Sequence, residues 1–162
     1  MKQAFIFFFT IFFLAACDKI DVTPPPANDP PGANTDMLKL VNDARTKGCD
    51  CGGEWMPPVA PLTWNNKLET AAKQHSDYMS NTGDFNHTQS NGSTPDSRVT
   101  QAGYTWGLVA ENIASGQTSI AQVMEGWLKS AGHCKNIMDA RAKEMGAART
   151  GNYWTQVFAS PR

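Results

Sequence analysis

Two imidazoles, a carboxylate and three thiols carry the chemistry this sequence could do. Glu111 and the pair His133-Cys134 stand at the two ends of the stretch 107–134, GLVAENIASGQTSIAQVMEGWLKSAGHC. His87 lies upstream, in Asp84-Phe85-Asn86-His87-Thr88, and could complete a cluster with them. Two imidazoles and one carboxylate match the ligand set of many catalytic zinc sites, where an open position activates water. His75 falls on an apolar stripe with Leu68, Ala71, Ala72 and Met79, where a core histidine with a satisfied hydrogen bond is expected.

The elements that must hold these groups are legible in order. Thr35-Asp36 is placed to cap a helix whose apolar face is Met37, Leu38, Val41 and Ala44, with Gly48 as its stop. Asn42 and Arg45, three apart, share one face of it and are positioned to bond to other elements. A loop then runs from Cys49 to Pro61. Leu62-Thr63-Trp64-Asn65 leads into a second helix that Gly83 ends, and residues 84–98 form a polar loop in which Phe85 is expected to anchor His87 beside a core. Pro95-Asp96 opens a short helix to Gly103. The segment 107–116 reads as a bend containing a short strand. Ser119 and Gln122 form a capping box for a helix with Ile120, Val123, Met124, Trp127 and Leu128 at i, i+3, i+4, i+7 and i+8. A shorter helix starts at His133 and runs through Met138. Finally, 144–149 and 153–159 read as strands joined by Thr150-Gly151-Asn152, a hairpin signal. Helices combined with a terminal antiparallel hairpin predict an α+β fold rather than alternating βαβ units.

The front of the chain has a different character. Residues 1–16 carry Lys2 and then an apolar run holding six of the chain's eight phenylalanines. That run is short for a membrane span and reads as a signal peptide. Leu14-Ala15-Ala16-Cys17 resembles the lipobox of bacterial lipoproteins, which implies cleavage before Cys17 and acylation there, palmitate being the usual amide chain. Residues 17–35 hold half of the chain's ten prolines and almost no large apolar groups, and so read as a lipidated cysteine and an extended tether to the membrane. The remainder, 36–162, suffices for one domain. A location in the cell envelope follows, anchored in the membrane and facing the periplasm or the exterior. The net charge of −1, with no basic patch or repeat, gives no sign of a nucleic-acid partner.

An exported chain can form disulfides. With Cys17 lipidated, Cys49, Cys51 and Cys134 remain, enough for one bridge and one leftover. Cysteines one residue apart rarely pair with each other, so the expected bridge is Cys51–Cys134, with Cys49 free or substituting for Cys51. A zinc site from Cys49, Cys51, Cys134 and His133 is the alternative, and its CxC spacing is shorter than zinc ligands usually show.

Five blocks carry a family resemblance: Leu62-Thr63-Trp64-Asn65; Phe85-Asn86-His87-Thr88; Ala110-Glu111-Asn112-Ile113-Ala114; Trp127 to Met138, WLKSAGHCKNIM; and Tyr153-Trp154-Thr155-Gln156-Val157-Phe158. In this order they resemble the CAP superfamily, or SCP domain, of cysteine-rich secretory proteins, venom allergens and plant pathogenesis-related proteins, and specifically its bacterial branch. The resemblance covers 36–162 and implies a three-layer α-β-α sandwich with a small, mainly antiparallel sheet and a large cleft. It implies a ligand-binding set of His87, Glu111, Asn112, Ser130, His133 and Gln156, and a divalent metal such as zinc held by His87 and His133 with Glu111 assisting. Two positions depart from the pattern: Ala110 stands where the family has Gly, and Ser130 where eukaryotic members have a second acid. Glu125 is no substitute, since five residues turn a helix by about 140°. The family has no generally accepted enzymatic activity; its better-supported roles include binding sterols and other lipids, and defence or adhesion. The first expectation is therefore a binding module with a lipid, sterol-like or cell-envelope ligand. A metal-assisted peptidase or esterase in the same cleft is the alternative, and no catalytic residue beyond the candidates His87, Glu111 and His133 is assigned. The sequence offers no His-Glu-x-x-His helix and no Gly-x-Ser-x-Gly elbow. A third reading makes the His/Glu cluster purely structural.

Overall fold

Helix α1 (Ala33–Lys47) opens the part of the chain that the computed structural model describes, residues 33–162. The signal peptide, Cys17 and most of the tether lie outside the described residues. Ala33, Asn34 and Thr35 are helical rather than tether, so Thr35 and Asp36 sit inside the first turn instead of capping it. Asp36 there, and Arg45 and Lys47 in the last turn, complement the helix dipole. Gly48 follows as the stop.

The loop expected after α1 contains a small antiparallel hairpin, β1 (Cys49–Asp50) and β2 (Trp55–Met56). β3 (Thr63–Trp64) leads into α2 (Asn66–Thr82), which Asn65 caps by accepting from the Lys67 amide and Gly83 ends at φ 73°. α3 (Pro95–Gln101) carries a full capping box between Thr94 and Ser97. The segment read as a bend is a ten-residue strand, β4 (Trp106–Ser115). α4 (Ile120–Lys129) starts at Ser119, whose hydroxyl accepts from the Gln122 amide. Gln122 does not reciprocate as a capping box requires; its side-chain oxygen takes the Thr118 amide and hydroxyl. α5 (Ala131–Ile137) begins two residues before His133. The expected hairpin closes the chain as β5 (Glu144–Thr150) and β6 (Tyr153–Pro161), turning at Gly151-Asn152.

The four-stranded sheet has the order β3-β5-β6-β4, antiparallel except for the short β3–β5 pairing. Helices cover both faces, which gives the three-layer α-β-α sandwich. Alternation along the strands separates the two cores. Met145, Ala147, Trp154 and Phe158 pack with Met37, Val41, Met124 and Trp127 on the α1/α4/α5 side. Val157 and Ala159 pack with Leu68, Ala72 and Val99 on the α2/α3 side. α2 lies so close to β5 that a Cβ on Gly146 would fall 2.1 Å from the Glu69 amide nitrogen. Asn42 and Arg45 do bond to other elements. Asn42 brackets the Leu62 backbone, accepting from its N–H at 2.8 Å and donating to its carbonyl at 3.0 Å. The fully buried Arg45 donates to the carbonyls of Ala60, Ile137 and Asp139.

Candidate functional site

Glu111 sits in the middle of edge strand β4, and its side chain, only 2% exposed, faces the α2/α3 layer. Both carboxylate oxygens are committed. Oε2 accepts from Arg98 Nη2 of α3 at 2.7 Å, and Oε1 accepts from His87 Nδ1 at 2.9 Å. Arg98 is as buried as Glu111 and also donates to the carbonyls of Ser93 and His87, so it ties the 84–94 loop to the strand. His87 is thus held by Glu111 and Arg98. Phe85, expected to anchor it, is 50% exposed and meets only the edge of Tyr153. Donation of Nδ1–H to the carboxylate turns Nε2 away from Glu111, on a side chain that is 48% exposed.

His75 belongs to this cluster as well as to the core. It is fully buried on α2; its Nδ1 accepts from Gln89 Nε2 at 3.3 Å, so Nε2 carries the hydrogen. That Nε2 lies 3.7 Å from Glu111 Oε1, outside hydrogen-bond range, and has no other partner among the described residues. Burial pulls the His75 imidazole below its ordinary value, against the opposing pull of Glu111.

The next residue on the strand, Asn112, points to the opposite face and is fully buried there. Its amide donates to the His133 carbonyl at 3.1 Å and to Gln156 Oε1 at 3.3 Å, and its oxygen accepts from Asn136 at 2.9 Å. Gln156 spends its own N–H groups on the sulfurs of Met37 and Met124. The structure places Asn112 and Gln156 in an interior network that fixes α5 to β4, apart from His87 and Glu111. His133 is half-buried in the first turns of α5, and its imidazole is pulled below its ordinary value by burial and then by the charge of His87. The backbone of His133 is therefore held from the face of the edge strand opposite to the Glu111 carboxylate. Ser130 is the junction between α4 and α5, and its hydroxyl makes no capping bond. Glu125 pairs on the surface with Lys129 at 2.5 Å.

Sequence reasoning missed Arg98 and undervalued His75. Neither leaves a signal in the chain, because burial of an arginine beside a carboxylate is decided by tertiary packing. For a metal, the fit is partial. Among the described residues, the one set of three His, Cys, Asp or Glu ligand atoms lying within 4.8 Å of one another is Cys49, Cys51 and Cys134. Cys51 and Cys134 are disulfide-bonded to each other, and Cys49 is half-buried and unbridged. His87, Glu111 and His133 do not form such a set, and Glu111 instead orients the ring of His87.

A sizeable cavity lies elsewhere. An apolar groove of about 610 Å³ runs between α1 and α4, lined by Leu40, Ala121, Met124, Leu128 and Gly52, with the Glu125–Lys129 pair at its edge. His87, Glu111 and His133 do not line it. No helix among the described residues is long and apolar enough to cross a membrane.

Comparison with known proteins gives these features a context. A family model for CAP, the Cysteine-rich secretory protein family, matches residues 38–158. The Bacillus subtilis (strain 168) protein YkwD is 25% identical over 146 residues, 89% of this chain and 53% of its own length. An extracellular protein containing an SCP domain from Bacillus anthracis superposes with a TM-score of 0.70 at 24% identity, over 80% of this chain and 40% of its own. NaASP2 with Zn2+ superposes with a TM-score of 0.56 at 14% identity, over 84% of this chain and 83% of its own. The chain thus spans about half the length of its Bacillus subtilis relative, and the two solved structures support the fold alone.

Proposed function

The chain belongs to the cysteine-rich secretory protein (CAP) family, and from that premise we propose that it is an exported, membrane-anchored binding module for an elongated apolar ligand such as an acyl chain. The observation that carries this reading is the groove between α1 and α4. Its volume of about 610 Å³ is that of ordinary ligand pockets, and its walls are Leu40, Met124 and Leu128. Anchoring through acylated Cys17 supports access to lipid, and Cys17→Ser is expected to release the chain from the membrane fraction.

The hydrolase reading asks for a free base or an acid that orients His133. Glu111 spends one oxygen on Arg98 and the other on His87, which supports a binding role instead. Ala121 is an exposed helix position in the groove wall, so Ala121→Trp fills the groove without disturbing the core. The full chain, stripped of endogenous lipid, is expected to bind a fluorescent fatty acid saturably. The variant should bind about tenfold or more weakly, a change of about 1.4 kcal/mol, with an unchanged melting temperature. Absence of saturable binding by the wild type would sink the reading.

A second reading stands on the Glu111–His87 hydrogen bond, which leaves His87 Nε2 available. Together with His133 it would hold a divalent ion, in the way that the related fold of NaASP2 is known with Zn2+. Calorimetry with zinc in a non-chelating buffer at neutral pH should give heat for the wild type and none for His87→Ala. No wild-type heat means no site.

A further inference from the structure

The groove and the histidine site leave unused a cluster of three sulfurs at the β1–β2 hairpin. Cys51 and Cys134 are bonded, with Cα atoms 5.3 Å apart, and both are buried. Cys49 is half-buried, and its thiol sulfur lies 3.1 Å from Cys134 Sγ but 3.7 Å from Cys51 Sγ. A thiol in contact with a disulfide has an exchange reaction available that needs no external oxidant or reductant. Proximity selects the sulfur attacked, Cys134, and therefore the one expelled, Cys51.

We propose that Cys49, Cys51 and Cys134 form an internal thiol–disulfide exchange site, in which Cys49 and Cys51 alternate as the partner of Cys134. The Cys49 thiol gives its proton to solvent, the thiolate forms the Cys49–Cys134 bond, and the Cys51–Cys134 bond breaks. Cys51 leaves as a thiolate and takes up a proton, so there is no net oxidation. The strand that must move is short: β1 is two residues long, and the turn beyond it holds Gly52 and Gly53 at φ 70° and 92°. Swinging Cys49 into line behind the Cys134 sulfur shifts β1 and this turn, which are held by the pairing of Cys49 with Met56, the Gly53 N–H to Asp50 carboxylate bond at 2.5 Å, the Cys51 N–H to Glu54 carbonyl bond at 2.8 Å and the surface Glu54–Lys135 pair. Burial, and then the Asp50 carboxylate, pushes the Cys49 thiol up, so the exchange quickens as pH rises. The exchange converts a reachable free thiol at Cys49 into a shielded one at Cys51. Asp50 and Gly52 also wall the apolar groove, so the choice of bridge sets part of that wall whatever occupies it.

The test uses the full chain with its disulfide intact. After incubation under mildly alkaline conditions, the protein is quenched in acid and unfolded in guanidinium without reductant so that shielded thiols are reached, free thiols are alkylated with a maleimide, and cleavage before Asp50 separates Cys49 from Cys51 for mass mapping. The wild type is expected to show label on Cys51 as well as Cys49, with Cys51 carrying about a tenth or more of the label. That fraction places the two isomers within about 1.4 kcal/mol. Cys51→Ser, oxidised with glutathione disulfide, is expected to form a Cys49–Cys134 bridge and lose both free thiols. Cys49→Ser removes the attacking sulfur and should leave Cys51 unlabelled. Label confined to Cys49 in the wild type overturns the proposal, as do two persistent free thiols in Cys51→Ser or a labelled Cys51 in Cys49→Ser.

Discussion

Replacing Arg98 by Met tests whether the buried ion pair under His87 organises this side of the fold. Methionine keeps most of the side chain's length and apolar packing while deleting the charge. Arg98 Nη2 lies 2.7 Å from Glu111 Oε2, and both side chains are 2% exposed. At an effective dielectric constant of about 20, that separation corresponds to roughly 6 kcal/mol of gross attraction. Desolvation of both ions offsets much of it, but a variant that keeps Glu111 buried retains the desolvation cost without the attraction. Breaking a buried pair by removing one partner costs about 3–5 kcal/mol. The lost bonds to the Ser93 and His87 carbonyls add little, since both loop residues can turn to water. In urea, with a slope of about 2 kcal/mol per molar, the unfolding midpoint should fall by about 2 M. Glu111→Gln strands the guanidinium instead and should lose stability as well. The double variant Arg98→Met, Glu111→Gln removes both charges and should recover most of either loss, giving a coupling energy of about 2 kcal/mol or more. A midpoint for Arg98→Met within about 0.5 M of wild type, or additive losses in the double variant, refutes the reasoning.

Three other outcomes follow from individual contacts. Gly146→Ala would put a methyl group 2.1 Å from the Glu69 nitrogen and 2.4 Å from the Leu68 carbonyl carbon, both backbone atoms of α2. It should therefore cost about 3 kcal/mol or more and lower Tm by about 10 °C in thermal unfolding. Asn42→Ala leaves the Leu62 backbone donor and acceptor without their partners at 2.8 and 3.0 Å, an expected loss of about 2 kcal/mol by chemical denaturation. For pH, burial depresses the His75 and His133 imidazoles, so the unfolded chain takes up protons near pH 6.5 that the folded chain refuses. Stability should be full above that value and fall as pH drops below it, with a shallower fall in His75→Gln; urea midpoints that rise toward acid would contradict this.

The helices were readable because their information is local. Ile120, Val123, Met124 and Trp127 recur at helical spacing, and α4 buries three of these four, leaving Ile120 partly exposed. Asn65 and Gly83 mark the ends of α2 by chemistry that needs no tertiary partner. The closing hairpin was readable for the same reason, from its Gly151-Asn152 turn. β4 was not. It has Gly107 near its start and the polar pair Glu111-Asn112 at its centre, and its outer edge pairs with nothing among the described residues, so neither alternation nor apolar content marks ten extended residues. Its conformation comes from nine-residue pairing with β6, a contact made between distant parts of the chain. The same limit applies to the site. His87, Glu111 and His133 were found through residue type and family likeness, whereas Arg98 and His75 became visible only once α2, α3 and β4 were assembled. Spacing argued against a Cys49–Cys51 bridge but left Cys49 able to substitute for Cys51; the Cys51–Cys134 bridge and the 3.1 Å approach of the third sulfur are settled by the tertiary structure.

The alternation of β4 also divides what looks in the sequence like a single motif. Glu111 and Asn112 are adjacent, yet they serve opposite faces of the sheet. Glu111 fixes the ring of His87 from the α2/α3 side, and Asn112 fixes the backbone of His133 from the α5 side. One edge strand thereby holds the ring of one histidine and the backbone of the other. A serine hydrolase built from Ser130, His133 and Glu111 would need the carboxylate to orient the His133 ring. The carboxylate is on the other face, bonded to the other histidine and neutralised by Arg98. Moving it to His133 would break the Arg98 pair and leave a buried guanidinium without its counter-ion, a cost of about 3–5 kcal/mol that no contact at His133 offsets. The two adjacent polar residues of β4 are thereby committed to different layers, Glu111 to Arg98 and His87 and Asn112 to the α5 backbone.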